Sequence, residues 1–113
     1  MAESRLGAFV LQHRYRIRAG EFDQYIELIA QVRDWYVGWG LGQFEVWRDA
    51  DDPCRITEVQ GYDSWSHYMR LNKRALPPKI KEIYHDLEQI LEDGFGGVET
   101  STWDPAELPE FEG

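Results

Sequence analysis

The segment Phe44–Arg74, FEVWRDADDPCRITEVQGYDSWSHYMRLNKR, constrains the fold of this chain more than any other. It reads as a strand over about Gln43–Arg48, an acidic turn closed by Asp52-Pro53, a partner strand over Arg55–Tyr62, and a helix opening at Trp65. Asp and Pro favour turns for mechanical reasons, namely side-chain bonding to the local backbone and a fixed φ. Two strand-like runs joined by such a turn predict an antiparallel hairpin. Asp63-Ser64 then offers a side-chain oxygen to the orphan N–H groups of the following helix. A hairpin that runs straight into a helix selects a small α+β architecture.

The flanking sequence completes it. From Ala8 to Ile17 the residues alternate, with Phe9, Leu11, His13, Tyr15 and Ile17 on one face and Gln12, Arg14 and Arg16 on the other. That period of two predicts a half-buried strand. After Ala19-Gly20, Phe22, Tyr25, Ile26, Ile29, Val32 and Tyr36 recur at steps of three and four, the stripe of an amphipathic helix over about Glu21–Tyr36. Gly38, Gly40 and Gly42 punctuate its exit. The second helix should stop before Pro77-Pro78, since proline disfavours helical geometry in its predecessor. Pro78 suits the first turn of a third helix. Ile80, Ile83, Tyr84, Leu87, Ile90 and Leu91 form its stripe, and Gly94 is placed to end it. Val98–Trp103 is a last strand, and residues 104–113 read as an acidic tail pinned by Phe111. The order β-α-β-β-α-α-β is a ferredoxin-like split βαβ arrangement with an extra helix and a four-stranded antiparallel sheet. With helices on one side only, the second sheet face needs a partner, and another copy of the chain is the obvious one.

At 113 residues the chain has room for one core, so residues 1–113 are read as a single domain with its core over about 8–103. Twenty-one acidic against twelve basic residues, net −9, leave no basic cluster for a phosphate backbone or an anionic membrane surface. The opening MAESRLGAFVLQHRYR lacks the pattern of a secretory leader, and no apolar run approaches the ~20 residues of a membrane span. Cys54 stands alone, which excludes an internal disulfide and a cysteine-based metal cluster. These features predict a cytoplasmic setting with no nucleic-acid or membrane partner. Sixteen aromatic rings exceed the needs of so small a core, so some are expected at a cavity or a subunit interface.

The chain resembles the dimeric α+β barrel superfamily, in particular its antibiotic-biosynthesis-monooxygenase-like members. FVLQHRYRIRAGEFDQYIEL is similar to their first strand and helix. The run Arg48-Asp49, Asp52-Pro53, Arg55, Glu58, Ser64-Trp65, Arg70 and Arg74 also resembles a domain associated with major-facilitator-type permeases, with Tyr68 where that domain has a histidine. The resemblance covers most of residues 8–103. It implies a homodimer through the sheets and a pocket between sheet and helices. It extends to monooxygenases, haem degraders, isomerases and mutarotases, so it bears on fold more than on reaction.

His13 is the polar intruder on the apolar face of the first strand. It is either a core histidine with both ring nitrogens bonded or a base or donor in a pocket. In haem-degrading relatives a catalytic Asn stands at what resembles this position, and a pocket Trp near that of Tyr68. Those relatives hold iron with a histidine about ten residues beyond that Trp; here the count reaches Pro78, which puts haem chemistry in doubt. His13 and Tyr68 are therefore the candidate catalytic pair. Trp65, Tyr15 and Tyr84 are candidate ligand-binding residues, Trp65 being either a wall for a planar ligand or a packing anchor. His67 is expected in solvent. Arg55 and Glu58 are a general acid/base pair or a cross-strand ion pair. Trp35, Trp39, Trp47 and Trp103 either close a pocket mouth or pack across a dimer. Three scattered histidines make no preorganised metal site, so no metal and no cofactor is expected.

Two functions remain open. One is a cofactor-independent, monooxygenase-like oxidoreductase acting on an aromatic or polyketide-like substrate. The other is a non-catalytic ligand-binding or assembly domain, with an isomerase or mutarotase as a third option.

Overall fold

The computed structural model describes residues 9–106 and 108–109, so the expected pin at Phe111 lies outside the described residues. The elements are β1 (Phe9–Arg16), α1 (Phe22–Gly38), β2 (Gln43–Arg48), β3 (Arg55–Tyr62), α2 (Trp65–Asn72), α3 (Pro78–Ile90), a 3-10 turn (Phe95–Gly97) and β4 (Glu99–Trp103). The sheet order is β2-β3-β1-β4, antiparallel throughout. This is the ferredoxin-like α+β fold with an added third helix.

Local chemistry accounts for the boundaries. In the β2–β3 turn the Asp49 carboxylate accepts from the backbone N–H of Asp51 and Asp52 at 2.8 and 3.0 Å. Asp52 in turn accepts from the N–H of Cys54 at 3.2 Å. Two carboxylates thus replace the backbone partners that the turn cannot supply. Ser64 caps α2, its Oγ accepting from the backbone N–H of His67 at 3.1 Å. Gly40, at φ +98°, lets the chain leave α1 in a conformation that side-chain-bearing residues rarely adopt.

One boundary differs from the sequence reading. α3 ends at Ile90, before Gly94, because the chain after it is drawn to the end of β1. Ile17 bridges Leu91, the N–H of Arg18 donates to the carbonyl of Ile90 at 2.8 Å, and the N–H of Glu92 donates to that of Arg16 at 2.9 Å. Gly94, at φ +62°, serves the following 3-10 turn instead.

The core lies between one face of the sheet and the helices. Leu11, Tyr15, Ile56 and Phe44 from the strands meet Tyr25, Ile29 and Val32 of α1 and Ile80, Ile83 and Leu87 of α3. Among the described residues the opposite sheet face carries no helix. It is polar, as the alternation of β1 predicts: Arg14 donates to Gln12 and Ser101, and the Trp103 indole donates to Gln12. Trp47 and Trp103 stand more than half exposed on the two edge strands of this face.

Candidate functional site

A cavity of about 380 Å³ opens between the sheet and the three helices. Strand pleating decides its floor. Alternate side chains of β1 face the helices, and the antiparallel register sets His13 opposite Glu58 on β3 and opposite Thr100 on β4. All three line the cavity in one row across the sheet. The His13 ring meets Thr100 through Nδ1, 2.9 Å from Oγ1, which leaves Nε2 as the ring atom for a second partner.

The walls are phenolic. Tyr15, Tyr25, Tyr36, Tyr62, Tyr68 and Tyr84 line the cavity, and these are all six tyrosines of the chain. They come from β1, α1, β3, α2 and α3, so no single stretch of sequence displays the cluster. Among the described residues no tryptophan, arginine or lysine lines the cavity.

A buried hydrogen-bond chain runs along the floor. The Tyr25 and Tyr15 hydroxyls are 2.6 Å apart, and Tyr15 donates to Glu58 Oε1 at 3.0 Å. Since the Tyr15 proton is used there, Tyr25 is the donor in the first bond. From the other side Gln60 Nε2 donates to Glu58 Oε2 at 2.6 Å, and Tyr62 donates to Gln60 Oε1 at 2.5 Å. Both carboxylate oxygens therefore accept, the role of an ionised carboxylate. Glu58 is 7% exposed, and among the described residues no ion pair involves it.

This corrects the reading of Glu58 and Arg55 as a pair. Three residues apart on one strand they point to opposite faces, and Arg55 turns to Asp49, 4.0 Å away. His67 is corrected too: it is 8% exposed, because Asp63 donates its backbone N–H to Nδ1 at 3.1 Å and Tyr62 packs edge-on against the ring at 5.6 Å.

Burial drives the tyrosines upward. The Tyr15 hydroxyl is raised well above its ordinary value by desolvation, then by the Glu58 charge. Tyr25, Tyr36, Tyr62 and Tyr84 are also raised, with desolvation the largest cause in each. These five phenols stay protonated near neutrality, so they act as hydrogen-bond donors and not as bases.

Of the candidates drawn from the sequence, His13, Tyr15, Tyr68 and Tyr84 meet in the cavity. Trp65 does not. It is 55% exposed and packs edge-on against Phe9 at 5.2 Å and tilted against Tyr68 at 5.3 Å. Trp35 and Trp39 contact each other near the end of α1, and the Arg74 guanidinium lies 4.0 Å above the Trp39 ring. Sequence reasoning missed Glu58 and Gln60 as cavity residues. The available signal was two polar residues on the face of β3 whose other members are Ile56 and Tyr62.

No protein-family model matches the chain, and no curated protein matches it. Solved structures do. A NIPSNAP family protein from Agrobacterium tumefaciens superposes with TM-score 0.71 at 19% identity, over 96% of this chain and 95% of that one. A putative antibiotic biosynthesis monooxygenase from Chloroflexus aurantiacus gives 0.66 at 15%, over 92% and 98%. SnoaB, a cofactor-independent oxygenase from Streptomyces nogalater, gives 0.70 at 12%, over 90% and 97%. Nothing in these comparisons supports the likeness of residues 44–74 to a permease-associated domain; Asp49, Asp52 and Ser64 there serve the turn and the cap. The chain has the α+β fold seen in the antibiotic biosynthesis monooxygenase and NIPSNAP structures.

Proposed function

We propose that this protein binds a small aromatic molecule in the tyrosine-lined cavity and moves a proton on it with His13, as a cofactor-independent oxygenase of the monooxygenase-like kind. The observation that carries the reading is His13 itself. Its ring lines a cavity, one nitrogen is held by Thr100, and a carboxylate stands opposite. A ring oriented through Nδ1 can present Nε2 to a substrate hydroxyl.

Dioxygen is the co-reactant in this scheme. For a phenol with an unsubstituted ring carbon, one phenol and one dioxygen yield one quinone and one water. His13 accepts the hydroxyl proton, and the electron-rich ring passes electrons to dioxygen and forms a C–O bond. Cleavage of the O–O bond then releases water with the hydroxyl proton and the displaced ring hydrogen. Tyr36, whose hydroxyl accepts from Tyr84, supplies a donor toward oxygen as it gains charge.

A second reading is favoured by the completeness of the Tyr25–Tyr15–Glu58–Gln60–Tyr62 chain, whose members satisfy one another without a ligand. On that reading the cavity binds without reaction. Native mass spectrometry for a co-purified ligand, with an oxygen-uptake screen of hydroxylated aromatics and quinols, separates the two. Uptake that vanishes in His13→Ala supports the oxygenase. Ligand retention with no uptake on any substrate supports the binding domain.

We place a homodimer on the bare sheet face, where Trp47 and Trp103 stand exposed. The location expected inside the cell is the cytoplasm, and no helix among the described residues is long and apolar enough to cross a membrane.

A further inference from the structure

We infer that the cavity selects a ligand carrying a positively charged nitrogen, an aromatic ammonium compound, and discriminates against carboxylates and phosphates. This rests on the cavity being the ligand site and specifies what enters it.

Among the described lining residues Glu58 is the one acidic side chain, and His13 is the one basic side chain. Glu58 is a carboxylate with both oxygens accepting hydrogen bonds, from Tyr15 and Gln60, and those two bonds fill half of its roughly four lone-pair positions. Among the described residues no arginine or lysine lines the cavity to balance it. A buried carboxylate without a cation is costly unless something compensates it, and neutral donors compensate only in part. A cationic ligand supplies what the protein does not. An anionic ligand meets like charge.

The walls point the same way. Six tyrosine rings surround the space, and the face of each ring is the negative end of its quadrupole. Tyrosine rings beside a carboxylate are a composition that suits an organic cation, which gains wherever it meets a ring face. The −9 net charge of the chain adds long-range attraction for a cation and repulsion for an anion.

The same charge bears on the proposed chemistry. Removing a proton from a ring hydroxyl beside His13 creates an anion next to Glu58, which the carboxylate opposes. A substrate whose own ammonium rests on Glu58 cancels that opposition.

Three probes share one phenol ring and differ in side-chain charge: tyramine, 4-ethylphenol and 4-hydroxyphenylacetate. Calorimetric titration of the intact chain should find tyramine bound at least about tenfold more tightly than 4-ethylphenol, with 4-hydroxyphenylacetate the weakest. Glu58→Gln, folded by circular dichroism, should bring tyramine and 4-ethylphenol close to equal affinity. Where that variant does not fold, the order of the three probes on the unaltered chain still decides. Binding of 4-hydroxyphenylacetate as tight as that of tyramine overturns the inference and leaves the aromatic-ligand reading standing. Failure of all three to bind at millimolar concentration overturns both.

Discussion

His13 on β1 and Glu58 on β3 are direct partners in the antiparallel register, and both face the cavity. The register sets the imidazole and the carboxylate beside each other on the cavity floor, where the proposed function uses the ring to move a proton. Thr100 completes the row and fixes the ring from the other side.

Replacing His13 with Ala should lower kcat on any oxidised substrate by about 10²–10⁴-fold, the usual weight of a positioned acid/base group. Thr100→Val, which removes the partner of Nδ1, should cause a smaller loss of kcat with KM little changed. Steady-state kinetics with circular dichroism checks both. Unfolding of His13→Ala would mark His13 as a packing residue instead.

Tyr15 is the link between Tyr25 and Glu58. Tyr15→Phe removes one donor from a buried carboxylate and strands the Tyr25 hydroxyl, at a cost of roughly 1–3 kcal/mol. Urea denaturation of the variant beside the parent measures it. A difference near zero would show that water replaces the lost hydroxyl.

Five phenols have folded pKa values raised above the ordinary 10.0. A group raised in the folded state contributes stability that is fully present below its unfolded pKa and is lost as pH rises toward the folded value. Stability should therefore be flat from neutrality to about pH 9.5 and fall above pH 10. The phenolate absorbance of these five should appear together with loss of the circular dichroism signal. Five independent ionisations near pH 10 in a folded protein would contradict the buried network.

The uncovered sheet face should associate with a second copy at micromolar concentration, giving twice the chain mass by light scattering. Trp47→Glu combined with Trp103→Glu should shift the population to monomer without loss of secondary structure, since both rings are already more than half exposed. A parent chain that stays monomeric would remove the dimer from the proposal.

Some of this was legible without coordinates because its causes are local. The β2–β3 turn is closed by Asp49 and Asp52 on their own neighbours, and the start of α2 by Ser64 on a residue three places on. Alternation along β1 and the 3.6-residue stripe of α3 each need only one element. The end of α3 was misjudged because its cause is remote: the carbonyl of Arg16 accepts from Glu92, far along the chain.

The cavity belongs to the second kind. Its six tyrosines sit on five elements, and each is explained within its own element as an ordinary apolar-face residue. Only strand pairing sets His13 beside Glu58 and Thr100, across sequence separations that no local pattern spans. Exposure was decided there as well, putting Trp65 outside and His67 within. Periodicity, caps and turns are short-range physics, and they determined the α+β scaffold from sequence alone. Which polar groups share one cavity depends on register and packing, and that was decided by the tertiary structure.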